Sequence, residues 1–91
     1  MAEFLLEQYV SRTDSAAVER GEERARVAAE QLTREGTPVR FLRSIFVPED
    51  ETGFYLCEAA SVEAVRELAK RAALPYQRVV EAATRSENSI G

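Results

Sequence analysis

The order of periodicities along the chain predicts an α+β domain with a ferredoxin-like β-α-β-β-α-β arrangement. Three observations carry that prediction. The first is a twenty-residue helical pattern bounded by cap-forming residues on one side and Gly36 and Pro38 on the other. The second is a pair of β-rich runs, Val39 to Val47 and Phe54 to Ala59, separated by the acidic stretch Pro48 to Gly53. The third is a shorter helical pattern and a final β-rich run after them. The arrangement implies a four-stranded antiparallel sheet, two helices on one face and strand order 4-1-3-2, with the N- and C-terminal strands flanking the central pair.

Each element has its own grounds. Glu3 to Val10 alternates as a strand, with Phe4, Leu6 and Gln8 on one face and Leu5, Glu7 and Tyr9 on the other. Ser11, Thr13, Asp14 and Ser15 offer several N-caps for the helix that follows. That helix is expected to run to about Glu35, burying Val18, Gly21, Ala25, Ala28, Ala29 and Leu32 at three- and four-residue spacing. Small residues dominate the stripe, so the helix can lie close to a sheet. Its outer face carries charges, with Glu22–Arg26 and Glu30–Arg34 at the favourable i,i+4 spacing. Gly36 suits the C′ position, and Pro38 stops the helix.

In the hairpin, Pro48 ends the first strand because it cannot donate to a ladder. Neither strand alternates cleanly, which anticipates cover on both faces. Ser61 is the expected N-cap of a second helix from Val62 to about Ala73, with Glu63 in its first turn and Lys70 and Arg71 near its end. Val65, Leu68, Ala69 and Ala72 form its apolar stripe. Leu74-Pro75 ends it, and Tyr76 to Ala83 is the last strand. The domain is therefore expected over 1–84, with a flexible tail over 85–91.

Composition excludes several classes. The 91 residues carry a net charge of −4 without a Lys/Arg cluster, so the footprint of a nucleic-acid binder is missing. No apolar run is long enough to span a membrane, and the N-terminus has no signal-peptide pattern, so a cytoplasmic protein is expected. The single cysteine, Cys57, excludes an intrachain disulfide. The absence of histidine removes the commonest general base and the commonest metal ligand.

A two-layer fold of this kind leaves one sheet face bare, with Leu5, Phe41 and Ile45 as its expected members. A face-to-face homodimer, of the dimeric α+β barrel type, would cover it. If the strand faces coincide, Glu7, Tyr9, Arg43 and Tyr55 meet between the sheet and its partner. A carboxylate, a guanidinium and two phenols there can bind an anionic or phenolic ligand. The plainer alternative is a structural Glu7–Arg43 ion pair with two half-buried tyrosines. Cys57 is a small hydrophobe without a base to activate it. The acidic loop Glu49-Asp50-Glu51 is a solvated turn rather than a cation site. Alternation does not assign Glu58 and Glu81 to a face.

Several segments resemble one known family. They are the first strand with Glu7 and Tyr9, the run Arg43 to Glu51, Leu56 to Ala59, Ser61 to Glu67, and Leu74 to Val79. Together they look like the nickel-responsive family of small bacterial proteins, typified by a nickel-binding ferredoxin-like homodimer. The resemblance reaches to about Ala83. It implies the fold and the dimer, and nickel as a ligand of the family. It also implies metal ligands, His, Cys and His, at positions that match Arg43, Tyr55 and Leu68 here. None of these three is a good nickel ligand. The expectation is a member that kept the scaffold and changed the site, with no metal and no cofactor. Two functions compete. One is a homodimeric module binding a small molecule, with Tyr9, Tyr55 and Cys57 lining the site. The other is a cofactor-independent cyclase, isomerase or monooxygenase acting on a hydrophobic or aromatic substrate, with Glu7 as base and Arg43 holding an oxyanion. The residues do not decide whether the protein is an enzyme.

Overall fold

The computed structural model describes residues 1–83. The tail expected over 85–91 lies outside the described residues. The elements are β1 (Ala2–Tyr9), α1 (Ser15–Arg34), β2 (Val39–Val47), a 3-10 turn (Pro48–Asp50), β3 (Thr52–Ala59), α2 (Val62–Arg71) and β4 (Arg78–Ala82). They form one antiparallel sheet in the order β2-β3-β1-β4. The expected β-α-β-β-α-β fold and the 4-1-3-2 order are both present. The N-terminal strand is nevertheless interior, and the edges are β2 and β4. Each β-α-β crossover skips one position, which places β1 and β3 side by side in the middle.

Both helices bury the stripes that their spacing predicts. On α1 the buried residues are Val18, Gly21, Ala25, Ala28, Ala29 and Leu32. On α2 they are Ala64, Val65, Leu68 and Ala69. The core joins these to Phe4, Leu6, Val39, Tyr55, Cys57 and Ala59 on one face of the sheet. The small residues of α1 matter most at Gly21. A methyl there would overlap the Tyr55 hydroxyl and stand 3.0 Å from its Cζ and 3.1 Å from Leu74.

The two helix C-termini use the same device with different residues. After α1, the Gly36 N–H donates to Thr33 and the Thr37 N–H to Leu32, closing a Schellman motif with Gly36 at φ 102°. After α2, Ala73 and Leu74 donate to Lys70 and Ala69 in the same pattern, but Ala73 holds φ 55° with a side chain attached. Ser61 caps α2 as expected, accepting from the Ala64 N–H at 3.3 Å. Asp14 occupies the N-cap position of α1 without a side-chain cap; its carboxylate reaches Arg20 at 3.6 Å instead.

The hairpin departs from its expected form in two places. Gly53 lies within β3, not in the turn, and Glu51 takes the left-handed position at φ 48°. The Glu51 carbonyl accepts from Val10, and its carboxylate from the Arg12 N–H and the Tyr9 hydroxyl, so local bonds hold the conformation. Gly53 is small for a packing reason, since Val10 stands 3.0 Å from where a Cβ would be. The second departure is a β-bulge between Phe41 and Arg43. An extra residue, Leu42, turns the two halves of β2 by one pleat relative to each other.

Candidate functional site

Register assigns every strand residue to a face. Phe4 and Leu6 of β1 face the helices, and their partners on β3 are Cys57 and Tyr55. The opposite face is covered by no element among the described residues, and it can be described as rows running across the strands. One row is Arg43, Leu56, Leu5 and Val80. The next is Ile45, Phe54, Glu7 and Arg78. A third holds Val47, Thr52 and Tyr9, and a fourth, beyond the first, holds Arg40, Glu58, Glu3 and Ala82. The apolar centre of this open face is therefore Leu5, Phe54, Leu56 and Val80, with Ile45 49% exposed beside it.

This geometry divides the residues expected to act together. Glu7, Tyr9 and Arg43 share the open face. Tyr55 and Cys57 are on the other face, both fully buried under the helices. Phe41 also faces the helices, because the bulge places only the residues after it, Arg43 and Ile45, on the open side. It packs against Tyr55 with ring centroids 6.2 Å apart. The expected convergence of Glu7, Tyr9, Arg43 and Tyr55 thus loses Tyr55, and the expected bare face loses Phe41.

The expected Glu7–Arg43 ion pair does not form either. Strand β3 separates the two residues, which puts about 10 Å between their backbones. Glu7 instead accepts from Arg78 Nε of the neighbouring edge strand at 2.6 Å. Arg40 of β2 meets Glu58 of β3 at 3.3 Å, which also places Glu58 on the open face. Glu81, opposite Phe4, points to the helix side at the exposed edge of β4. Arg43 is the one open-face guanidinium without an ion pair among the described residues. Tyr9, 57% exposed, lies at the hairpin end of the face with its hydroxyl on Glu51.

On the covered face, burial governs the chemistry. The Cys57 thiol is pushed up to about 12 by burial, so it is a neutral thiol at ordinary pH and neither a nucleophile nor a thiolate ligand. Burial also raises the Tyr55 phenol above its usual value. Its hydroxyl has no hydrogen-bond partner among the described residues. Both residues are core packing.

The donor set does not fit nickel. The chain has no histidine, and among the described residues no three His, Cys, Asp or Glu side chains come together to hold an ion. The three positions that the resemblance offers as ligands are also apart: Arg43 stands on the open face, while Tyr55 and Leu68 are in the core under the helices. No helix among the described residues is long and apolar enough to cross a membrane.

Sequence reasoning missed Arg78. It stands 71 residues from Glu7, and only the β1–β4 register joins the two. It also missed a groove beside β2, described below. The i,i+4 spacing pairs Arg26 with Glu22 and Arg34 with Glu30. Arg26 instead reaches Glu23 at 3.1 Å and lies 5.6 Å from the Phe41 ring centroid, while Arg34 makes no ion pair among the described residues.

Comparison with known proteins agrees with this architecture. A solved structure titled "Crystal structure analysis of SCO4226 from Streptomyces coelicolor A3(2)" is similar, with a TM-score of 0.71 and 20% identity, covering 93% of this chain and 100% of that one. No curated protein matches the chain. Residues 8–82 match the family described as "Nickel responsive protein SCO4226-like", so the chain belongs to that nickel-responsive family.

Proposed function

We propose that this protein is a small homodimeric binding module of the nickel-responsive family in which the metal ligands have been replaced. The observation that carries the reading is the uncovered sheet face. Leu5, Phe54 and Val80, half-buried around the buried Leu56, form a contiguous apolar centre that no described element covers, and Ile45 extends it to the edge. A domain of 91 residues gains from burying such a patch against a second copy. The charged members bracket the patch, with Arg40–Glu58 and Arg43 toward one corner and Glu7–Arg78 toward the other. A two-fold pairing would enclose an apolar space with Arg43 and Tyr9 at its rim, suited to a small molecule carrying an anionic or phenolic group.

Light scattering at micromolar concentration tests the dimer. The expected mass is twice the 10.2 kDa of one chain, and a monomer overturns the reading. Calorimetry with nickel tests the ligand replacement. No heat at protein-level concentrations is expected, whereas a stoichiometric isotherm would restore metal binding.

A second reading, cofactor-independent catalysis in the same space, draws on Arg43, which has no ion pair among the described residues. That guanidinium would hold a developing oxyanion and Glu7 would take a proton, after exchanging its contact with Arg78 for one with substrate. A dimer structure with a cavity that exposes both residues supports catalysis; an interior filled by side chains overturns it.

A further inference from the structure

A second concave feature lies away from the open face, between the C-terminal half of α1 and the edge strand β2. It is a groove of about 390 Å³, within the range of roughly 300–1,000 Å³ common for small-molecule sites. Its floor is apolar, made by Ala29, Val39 and Phe41. At the Val39 end of the floor, the backbone of the edge strand is already satisfied. The Thr33 hydroxyl donates to the Val39 carbonyl at 3.0 Å and accepts from the Val39 N–H at 3.2 Å.

The walls have the opposite charge to the molecule. Arg26, Arg34 and Arg40 line the groove against a single carboxylate, Glu30, in a chain whose net charge is −4. Two of these guanidiniums are held in place, Arg26 by Glu23 and the Phe41 ring, and Arg40 by Glu58. The third, Arg34, makes no ion pair among the described residues; the neighbouring Glu35 carboxyl is lowered chiefly by its hydrogen bond from Arg71, with Arg34 adding a smaller share. An anchored cation over an aromatic floor, with an uncommitted guanidinium at the mouth, suits a ligand with an apolar body and an anionic head.

We propose that the α1–β2 groove binds an amphipathic organic anion, a carboxylate on an aryl or short acyl tail, with the tail on Phe41, Val39 and Ala29 and the carboxylate at Arg34 and Arg40. This site shares Arg40 with the edge of the open sheet face, while its apolar floor and Arg34 lie on the helix side.

The test is a titration of the ¹⁵N-labelled full chain with 4-phenylbutyrate, followed by amide shifts. Expected are saturable shifts confined to residues 26–34 and 39–41, and an affinity about tenfold weaker in Arg34→Ala, the size of one lost charge-assisted contact. Arg34→Lys is expected to recover part of the loss. The neutral 4-phenylbutan-1-ol and inorganic phosphate, each lacking one half of the recognised chemistry, are expected to shift these residues weakly. The proposal is overturned if the alcohol or phosphate binds as well as the carboxylate. It is also overturned if Arg34→Ala binds unchanged, if the shifts fall on the open face, or if the same amides move on dilution without any probe, which would seat a second copy of the chain in the groove.

Discussion

The two faces of the sheet are built from the same strands and similar residues, yet they do different work. On the helix side, Leu6, Tyr55 and Cys57 are fully buried, and charged residues stay out of the core. On the other side, Leu5, Phe54 and Val80 are only half-buried and share their rows with Glu7, Arg43 and Arg78. Side-chain type alone does not tell the faces apart, since a tyrosine occupies each. What separates them is which face the two crossover helices cover. The covered face holds the fold together, and no described element covers the open one.

Removing one side chain from each face should expose that division most strongly. Leu6→Ala is expected to cost about 3 kcal/mol in urea unfolding, from lost burial and the cavity left behind. Ile45→Ala on the open edge should cost well under about 1 kcal/mol at concentrations where the chain is monomeric. Its effect on the proposed dimer should appear instead as weaker self-association in sedimentation. Comparable unfolding losses at both positions would erase the distinction between the faces.

Overfilling the covered face should come next. Gly21→Ala presses a methyl onto the Tyr55 hydroxyl and is expected to cost about 2 kcal/mol. Because that hydroxyl has no partner among the described residues, adding Tyr55→Phe should recover most of the loss. A double variant as unstable as Gly21→Ala would show that the strain lies elsewhere.

Alkaline pH should act on the covered face through its two buried acids. The Cys57 thiol titrates near 12 in the folded chain and near its ordinary value when unfolded, and Tyr55 shifts in the same direction. A raised acid binds its proton more tightly in the folded state, so the stability is complete below about pH 9 and is lost as pH rises toward 12. Chemical denaturation between those limits should lose about 1.4 kcal/mol per pH unit for the Cys57 thiol, with Tyr55 adding a loss of the same sign. The slope should be shallower in Cys57→Ala. The smallest effect concerns neither face. Ala73→Gly should stabilise the chain by about 0.7 kcal/mol by relieving the left-handed alanine after α2, whereas Gly36→Ala after α1 should lose about as much.

Much of this architecture was legible in the sequence. The α1 stripe, the Ser61 cap, the Gly36 stop and the strand order follow from local spacing and from crossover handedness. The site was less legible, for two physical reasons. Strand β3 is apolar on both faces, so alternation alone did not show that Tyr55 belongs with Leu6 rather than with Tyr9; only register with β1 does. The partner of Glu7 comes from the far end of the chain, a distance over which no periodicity carries information. The groove beside β2 depends on how closely α1 approaches an edge strand, which is a tertiary quantity.

Leu42 therefore keeps the frame of the second strand. Deleting that single residue would leave the sequence almost unaltered, yet it would oblige one half of the strand to roll over. Val39 and Phe41 would swing to the outside while Arg40 turned inward against α1, dismantling the groove and the core corner beneath it together. In relatives of this chain, a length difference of one residue at this point is expected to change which aromatic is displayed and which is hidden, even where every flanking letter is the same.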